Sequence, residues 1–372
     1  MSSLRRSGCG LLSALPGRGG LLPVKRAASS LRSGSVPLAS FPRFHTVVVG
    51  RAYSSFPGER ITTIPNTAVA ATIENVHSDT PSVYSFVVDV QNPPMAFGWL
   101  PGQWFDIFLP KDAPAGLNKK TMSHLHKRKQ ITGYTLGLSA CSAPNMGMDG
   151  CRIQFAAQLS PHPIVQHLHN KAEIGDILYL DGGHGSFHYH LAKDKRDFKS
   201  LVLIGGGIGI TPLMGITRYV FEATRNMVTH GWPMAKRIRV KMVHSAKRPS
   251  ELLFVKEMRK MAEAEGGIIG YYPTVTRLGE NGEEEEEDDR HKEKDAKGRP
   301  IPWNGLRGRV DEKMLKEQVK ISPDDWFYLC GPVDMVQSTK DLLVQQCNVP
   351  EHNIFYEKWS TENGELPSDH SA

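Results

Sequence analysis

The fold is decided by the stretch LVLIGGGIGITP, residues 201–212. Four apolar residues run into a turn that holds four glycines, and a helix-like pattern continues over residues 212–224. A buried strand that ends in glycines and opens a helix presents free backbone N–H groups and the positive end of the helix dipole to a phosphate. Glycine permits a close approach that a Cβ would block. The stretch therefore predicts a phosphate-binding turn, although a purely structural strand-to-helix turn gives the same pattern.

Seven residues of this turn are predicted to form the phosphate site of a cofactor. The glycines let the phosphates approach, and the Thr211 hydroxyl adds a donor. Pro212 suits the first helical turn, because its missing N–H costs nothing there. The predicted residues are Gly205, Gly206, Gly207, Gly209, Ile210, Thr211 and Pro212.

Strands and helices alternate in the second half of the chain. Apolar strands are predicted at 201–204, 238–243, 268–275 and 326–329, and helices at 212–224, 251–265 and 334–346. This alternation indicates βαβ units, so residues 198–360 are predicted to form a Rossmann-like α/β domain with a parallel sheet. Residues 283–289 are all acidic, and such a run repels itself and cannot bury apolar surface. Residues 279–298 are therefore predicted to be a disordered surface insertion.

The first half of the chain has a different pattern. Short alternating segments, such as residues 83–88, 104–109 and 176–180, are separated by proline and glycine. Regularly spaced short strands with turn signals are typical of an antiparallel barrel. The predicted fold class is an antiparallel β-barrel over residues 66–195, followed by the α/β domain and a tail at 361–372.

The first 54 residues predict a mitochondrial presequence. They contain eight Lys and Arg and no acid, and the first acidic residue is Glu59. The segment ends in RAYSS, residues 51–55, which resembles a matrix processing site with the cut near Tyr53 or Ser54. A disordered basic tail is the alternative interpretation. Without this segment 37 of the 45 Lys and Arg remain against 39 Asp and Glu, so nucleic-acid binding through bulk charge is not predicted.

Cysteine and histidine usage gives no metal prediction. The cysteines after the presequence are scattered, without a C-x-x-C pair, which suits a reducing compartment. His188 and His190 would share one face of a strand, but no partner recurs at ligand spacing. The longest nearly apolar run, residues 201–216, is shorter than the roughly 20 residues that span a bilayer, so no transmembrane segment is predicted.

A second motif, YLCGP at residues 328–332 with Met335, follows the glycine loop. Together they resemble the nucleotide domain of the ferredoxin–NADP reductase family, and in particular its mitochondrial members with an oxidoreductase NAD-binding domain. Supporting pieces occur in family order over about residues 68–359: PGQW at 101–104, GGHGSF at 182–187, GRV at 308–310 and IFYE at 354–357.

The resemblance implies an FAD-type barrel ahead of an NAD(P) domain, with the reactive rings meeting between them. It places Cys330 beside the nicotinamide, with Gly331, Pro332 and Met335 shaping the site; read alone, Cys330 would be a small buried core residue. Ser245, Lys247 and Arg248 follow the second strand, where the family contacts the adenosine ribose. An arginine there can bind a 2′-phosphate. The alternative interpretation is that these residues form a solvated loop, with Ser250 as the N-cap of the next helix. The choice between NAD and NADP stays open.

The flavin side departs from the family pattern. The family has Arg-x-Tyr-Ser/Thr, and this chain has Thr132-Gly133-Tyr134-Thr135. The second phosphate-binding piece, normally a glycine followed by Ser or Thr at a helix start, is HPIVQ at 162–166. The resemblance implies that Tyr134 and Thr135 hold the flavin and that Tyr134 and Cys330 are catalytic. Read alone, Tyr134 would be an ordinary core tyrosine of the barrel. A diphosphate without its cation is penalised, so FAD is expected to be weak, exchangeable or replaced by FMN unless His162, His167 or residues 127–129 supply the charge.

The predicted function is that of an NAD(P)H-dependent flavin oxidoreductase. Hydride would pass from the nicotinamide to the flavin, and electrons would pass on to a separate acceptor, protein or small molecule, because the chain carries no ferredoxin-like cysteine set and no haem motif. The alternative is a nucleotide-binding protein that has lost its flavin and acts in redox sensing or assembly.

Overall fold

The computed structural model describes residues 61–90, 93–94, 97–111, 131–144, 151–190, 198–230, 238–264, 267–277 and 303–359. These residues belong to one compact unit, His45–Ala372. The predicted presequence, the acidic insertion, the tail and residues 127–129 lie outside the described residues.

The first part is an antiparallel sheet of seven strands in the order β1-β5-β4-β7-β2-β3-β6. The strands are β1 Ile61–Thr63, β2 Val69–Thr80, β3 Val83–Val90, β4 Trp104–Pro110, β5 Thr132–Ser139, β6 Cys151–Gln158 and β7 Ile177–His184. Helix α1, Pro163–Asn170, lies between β6 and β7. The N–H of Cys141 donates to the carbonyl of Gln154 at 2.8 Å, and this bond joins the end of β5 to β6. The sheet thereby closes into a barrel around an apolar core that includes Phe86, Phe105 and Phe155.

The second part is a parallel sheet of six strands in the order β11-β10-β9-β8-β12-β13. The strands are β8 Ser200–Gly206, β9 Arg239–Ala246, β10 Ile269–Val275, β11 Leu306–Arg307, β12 Trp326–Pro332 and β13 Ile354–Trp359. The helices are α2 Ile210–His230, α3 Val255–Glu263 and α4 Val333–Gln345, with a π-helical segment at Met314–Val319. Helices α2 and α3 cover one face, and α4 with the π-helical segment covers the other. Burial on both faces explains why β8 is continuously apolar.

The predicted fold class is confirmed, a barrel followed by a parallel α/β sheet. Two local predictions are wrong. The helix predicted at 251–265 begins only at Val255, because Phe254 has a left-handed φ of 58° that interrupts the helical backbone. Ser250 lies in a separate 3₁₀ turn and therefore does not cap that helix. His188 and His190 lie beyond the end of β7, where Gly183 and Gly185 adopt φ values of 81° and 88°.

A buried carboxylate ties the amino ends of three parallel strands together. Asp325 is fully buried and accepts hydrogen bonds from the Ser200 hydroxyl at 2.8 Å, the Ser322 N–H at 2.8 Å and the Lys241 ammonium at 3.2 Å. Removing one partner of a buried ion pair leaves the other partners unsatisfied, which costs about 3–5 kcal/mol.

Replacing Asp325 with alanine is therefore expected to lower the free energy of unfolding by about 3 kcal/mol or more, measured by urea denaturation. Asp324→Ala is the control, since the exposed pair of Asp324 with Lys199 contributes at most about 1 kcal/mol. Equal losses in the two variants would contradict the role of Asp325.

Candidate functional site

The glycine loop lies at the carboxyl end of β8, in the middle of the parallel sheet between β9 and β12. Gly207–Gly209 forms a 3₁₀ turn, and α2 begins directly after it, with Pro212 in its first turn. Thr211 is buried, and its hydroxyl donates to the carbonyl of Ile208 at 3.0 Å, which holds the turn in shape. Because the first N–H groups of a helix and its dipole attract an anion, the loop is suited to a phosphate.

The glycines of the loop have different roles in this geometry. Gly207 has a φ of +54°, and a Cβ added there would have no atom within 4 Å, so this side of the loop is open. By contrast, a Cβ on Gly209 would lie 2.5 Å from the carbonyl oxygen of Cys330, and one on Gly206 would collide with the sulfur of Met335. Gly207 is thus the position that leaves room for a ligand, whereas Gly206 and Gly209 allow close packing within the protein.

The two predicted motifs meet in space. Cys330, the fully buried residue near the end of β12, pairs in register with Gly205 of β8. A Cβ on Gly331 would lie 3.2 Å from the backbone nitrogen of Gly206, and the side chain of Pro332 would also contact one on Gly206. Residues that are far apart in sequence therefore form a single surface at the carboxyl edge of the sheet.

A band of positive charge lies along the same edge, beyond β9. Ser245 pairs in register with Gly206, and Lys247 and Arg248 follow β9 directly. The N–H of Arg277, which follows β10, donates to the carbonyl of Lys247 at 2.8 Å. Five basic residues thus end or follow three neighbouring strands: Lys247, Arg248, Arg277, Arg307 and Arg309. Sequence reasoning missed the last three, because only the order of the strands brings them together.

The predicted flavin residues lie on β5. Tyr134 is half-buried and packs against the barrel core, and the hydroxyl of Thr135 is hydrogen-bonded to the hydroxyl of Thr62. Thr62 belongs to β1, a short strand that pairs with β5 at Thr132–Tyr134 and that the sequence pattern did not predict. The half-buried ring and the hydroxyl pair fit a flat heteroaromatic ligand with hydrogen-bonding edges.

The start of α1 lies close to this strand. His162 is the N-cap of α1, and its Nδ1 accepts a hydrogen bond from the Ile164 N–H at 3.3 Å. Burial lowers the pKa of His162, and a hydrogen bond to the backbone of Thr135 only partly opposes this effect. Burial also lowers the pKa of His167, despite its neighbour Asp176 at 3.4 Å. At neutral pH both histidines are therefore poor substitutes for the cation that a diphosphate requires.

A different basic residue lies beside the position that holds the arginine in the family motif. Lys111 follows β4, and its N–H donates to the carbonyl of Thr132 at 3.1 Å, so it stands beside that position. Its side chain is exposed. Lys111 is thus a charged residue beside Thr132, at the edge of β5.

A family model matches the parallel α/β part of the chain. Residues 203–341 match the model described as an oxidoreductase NAD-binding domain. This part of the chain is therefore similar to oxidoreductase NAD-binding domains. The matched residues begin within β8, include the glycine loop and the Cys330 motif, and end within α4.

Relatives and solved structures extend the likeness to the barrel. The human oxidoreductase NAD-binding domain-containing protein 1 is 27% identical over 293 residues, which cover 78% of this chain and 79% of that protein. The FAD/NAD-binding domain of a nitric oxide dioxygenase from Vibrio cholerae has a TM-score of 0.55 at 17% identity, covering 79% of this chain and 100% of that one. A ferredoxin NADP+ reductase from Neisseria gonorrhoeae, solved with FAD and NADP, has a TM-score of 0.51 at 20% identity, covering 79% and 99%. The two-domain fold is that of flavoprotein reductases.

Glu357, an acidic residue of the α/β part, is a candidate site residue that the sequence analysis did not identify. Glu357 lies in β13 and pairs in register with Cys330. It is fully buried, and within the described part of the chain neither of its carboxyl oxygens has a hydrogen-bond partner. Burial raises the pKa of Glu357 to about 8, so the carboxyl is largely protonated at neutral pH. The signal in the sequence is a carboxyl that directly follows the apolar segment Ile354-Phe355-Tyr356.

Glu357 makes stability depend on pH in a defined direction. Its folded-state pKa of about 8 lies above the ordinary value of 4.5. The contribution of Glu357 to the free energy of unfolding is therefore complete below pH 4.5 and is lost as the pH rises towards 8. Each pH unit between the two values is worth about 1.4 kcal/mol, which gives a total of a few kcal/mol.

The Glu357→Gln variant is expected to lack this part of the pH dependence. Urea unfolding of the cofactor-free protein, at a pH near 4.5 and at one above 8, measures it. Parallel pH profiles for the wild type and the variant would show that the carboxyl is not buried as described.

Two features are absent from the described residues. No group of three or more His, Cys, Asp and Glu side chains in them could hold a metal ion. No helix in the same residues is long and apolar enough to cross a membrane.

Proposed function

We propose that this protein is an NAD(P)H-dependent flavin oxidoreductase. In this proposal the barrel, residues 66–195, holds a flavin, and the α/β domain, residues 198–360, holds the nicotinamide nucleotide. The observation that carries it is the meeting of the glycine loop with Cys330-Gly331-Pro332 at one edge of the sheet. The fold shared with FAD- and NADP-binding reductases supports the pairing of two cofactors.

Each group of site residues has a proposed task. The backbone of the loop around Gly207 binds the diphosphate. Cys330, with Gly331 and Pro332, orients the nicotinamide. The residues that keep these segments in place are Ile210, Thr211 and Met335. With both cofactors bound, the chemistry that they would supply is hydride transfer from nicotinamide to flavin. Glu357 holds a proton on its buried carboxyl close to Cys330.

The flavin site is proposed on β5. Tyr134 packs against the ring and Thr135 offers its hydroxyl to the ring edge, with Tyr134 and Cys330 as the proposed catalytic residues. Lys111 is the proposed counter-charge for a flavin phosphate, since the arginine of the related motif is Thr132 here. The incomplete diphosphate fit favours an exchangeable FAD, or FMN, over a tightly held FAD.

NADPH is the proposed nucleotide. Five basic residues at the ends of β9, β10 and β11 suit the 2′-phosphate that distinguishes NADPH from NADH, with Ser245 as an additional donor.

Replacing Lys247 with glutamate is expected to weaken NADPH binding by about tenfold or more, because a repulsive charge replaces an attractive one. NADH binding should change much less. Arg239→Glu is the matched control, since Arg239 is exposed at the opposite end of the same strand. Equal effects of Lys247→Glu on both nucleotides, measured by titration, would contradict a 2′-phosphate site.

The proposed function is tested by reconstitution. The purified protein is incubated with excess FAD or FMN, freed of unbound flavin and examined by visible absorption, and NAD(P)H oxidation is then followed with an artificial acceptor. The proposal predicts a flavin band and turnover. The lack of both would refute it.

A second function is favoured by one observation. His162 caps α1 with its own side chain, and Thr132 replaces the arginine, so both usual diphosphate partners are altered. A redox-sensing or assembly protein that binds nucleotide without flavin fits these changes. Nucleotide binding without any flavin band after reconstitution would favour this second function.

We also propose that the protein works in the mitochondrial matrix and that its electron acceptor is a separate protein or small molecule. The basic, acid-free residues 1–54 support import. The intact mass of the protein recovered from mitochondria should correspond to a start near Tyr53 or Ser54. Recovery of the uncut chain from the cytosol would contradict import.

A further inference from the structure

One of the contacts between the α/β domain and the barrel is made by a face of α2; the Tyr328 hydroxyl, which donates to the His188 carbonyl at 3.2 Å, makes another. A Cβ added to Gly215 would lie 2.7 Å from the carbonyl oxygen of Ala140 and 3.5 Å from that of Ser142. Ala140 follows β5 directly. The helix can approach the backbone of the barrel this closely only because Gly215 has no side chain.

Arg218 lies one turn further along α2 and joins three elements. Its Nη1 donates to the carbonyl of Cys141 at 2.9 Å and to the side-chain oxygen of Gln154 at 2.6 Å, both in the barrel. Its Nε and Nη2 donate to both carboxylate oxygens of Glu257, in α3, at 2.8 and 2.6 Å. The guanidinium also lies 5.1 Å from the centre of the Phe254 ring. Its donors are thus directed to both domains at once, and only 12% of the side chain is exposed.

The surroundings of Arg218 require a cation of this shape. Acidic groups face it from several elements: Glu257 on α3, Glu222 on α2 and Asp79 on β2. Burial raises the pKa of Asp79 and of Glu222. A lysine would keep the charge but would lose the planar fork that binds a carboxylate and two barrel oxygens together.

The position of this cluster in the chain links the two proposed cofactor sites. Helix α2 begins at the glycine loop, and Cys141 lies just beyond the strand that carries Tyr134 and Thr135. Rigid elements therefore run from Arg218 to each site. We propose that Arg218, with the close contact at Gly215, is the positioning residue that fixes the orientation of the NAD-binding domain on the barrel. The effect of this domain orientation on hydride transfer rests on the proposed function.

Arg218→Lys is the test, with Arg225→Lys as the matched control, because Arg225 lies on the same helix with its guanidinium over the ring of Phe221. Hydrogen exchange of the full chain is the first readout. The amides of Cys141 and Gln154 should exchange faster in Arg218→Lys, while the central strands β8 and β12 stay protected. Unchanged exchange at these amides, or equal loss of protection throughout the protein, would overturn the proposal.

Kinetics with reconstituted flavin is the second readout. Misplacement by about 1 Å costs on the order of 100-fold in rate, so flavin reduction by NADPH should slow at least tenfold in Arg218→Lys. The nucleotide dissociation constant should remain within twofold, and Arg225→Lys should resemble the wild type. An unchanged reduction rate would refute the positioning role. If the wild type binds no flavin, the proposed function fails, and the exchange readout alone decides whether Arg218 fixes the domains.

Discussion

Replacing Gly207 with valine is expected to abolish NAD(P)H binding while the protein stays folded. The Cβ of residue 207 points into open space, where no protein atom lies within 4 Å. In the proposed site, a side chain there occupies the space of the phosphates and blocks their approach to the loop N–H groups. The loss of two charge-assisted hydrogen bonds, each worth about 1.5–3 kcal/mol, corresponds to an affinity loss of roughly 100-fold or more.

Gly267→Val is the control for backbone strain. Gly267 has a φ of +55°, almost the same as Gly207, and its Cβ position is equally open, but it lies in the turn before β10. Both variants should lose similar stability in thermal melts, and only Gly207→Val should lose nucleotide binding by calorimetric titration. Unchanged binding by Gly207→Val, or equal loss in both variants, would show that the loop does not hold the phosphates.

Gly209→Ala is expected to give a different result, a loss of both stability and binding. An added methyl group would lie 2.5 Å from the carbonyl oxygen of Cys330 and 2.6 Å from the Cα of Gly331, and neither backbone atom can move without shifting β12. Overpacking of this kind costs about 1–3 kcal/mol. The shift would also displace Cys330 from its place beside the glycine loop.

Urea denaturation and nucleotide titration of Gly209→Ala measure both effects. Gly98→Ala is the control, because a Cβ on Gly98 would meet no atom within 4 Å. The unfolding free energy should fall in Gly209→Ala alone. Wild-type stability in Gly209→Ala would mean that the contact between the loop and β12 is looser than described.

The sequence allowed the fold class to be predicted because its signals are local. Apolar runs of strand length, bounded by glycines and alternating with helical patterns, indicate βαβ units wherever they occur. The loop and the Cys-Gly-Pro motif could be related to one site through their resemblance to a known family. The order of the strands is not a local property, so the basic residues at the ends of β10 and β11 were not associated with Lys247 and Arg248.

Other features depend on contacts between distant residues. The hydrogen bonds of Arg218 join positions 64 and 77 residues away, and nothing in the pattern of α2 marks this arginine. Glu357 is a candidate site residue because the pairing of β13 with β12 places it beside Cys330, and this pairing cannot be read from the sequence of β13 alone. The left-handed Phe254, which delays the start of a predicted helix, likewise depends on packing, since its ring lies under the Arg218 guanidinium.

The proposed function requires the transfer of a hydride between two bound cofactors. The most direct measurement mixes the flavin-reconstituted protein with NADPH in the absence of oxygen and follows the visible absorption of the flavin. The proposed function predicts rapid loss of this absorption in the wild type, much faster than for free flavin, and none in Gly207→Val at the same concentration of NADPH. A flavin-loaded wild-type protein whose absorption stays unchanged with both NADPH and NADH would contradict it.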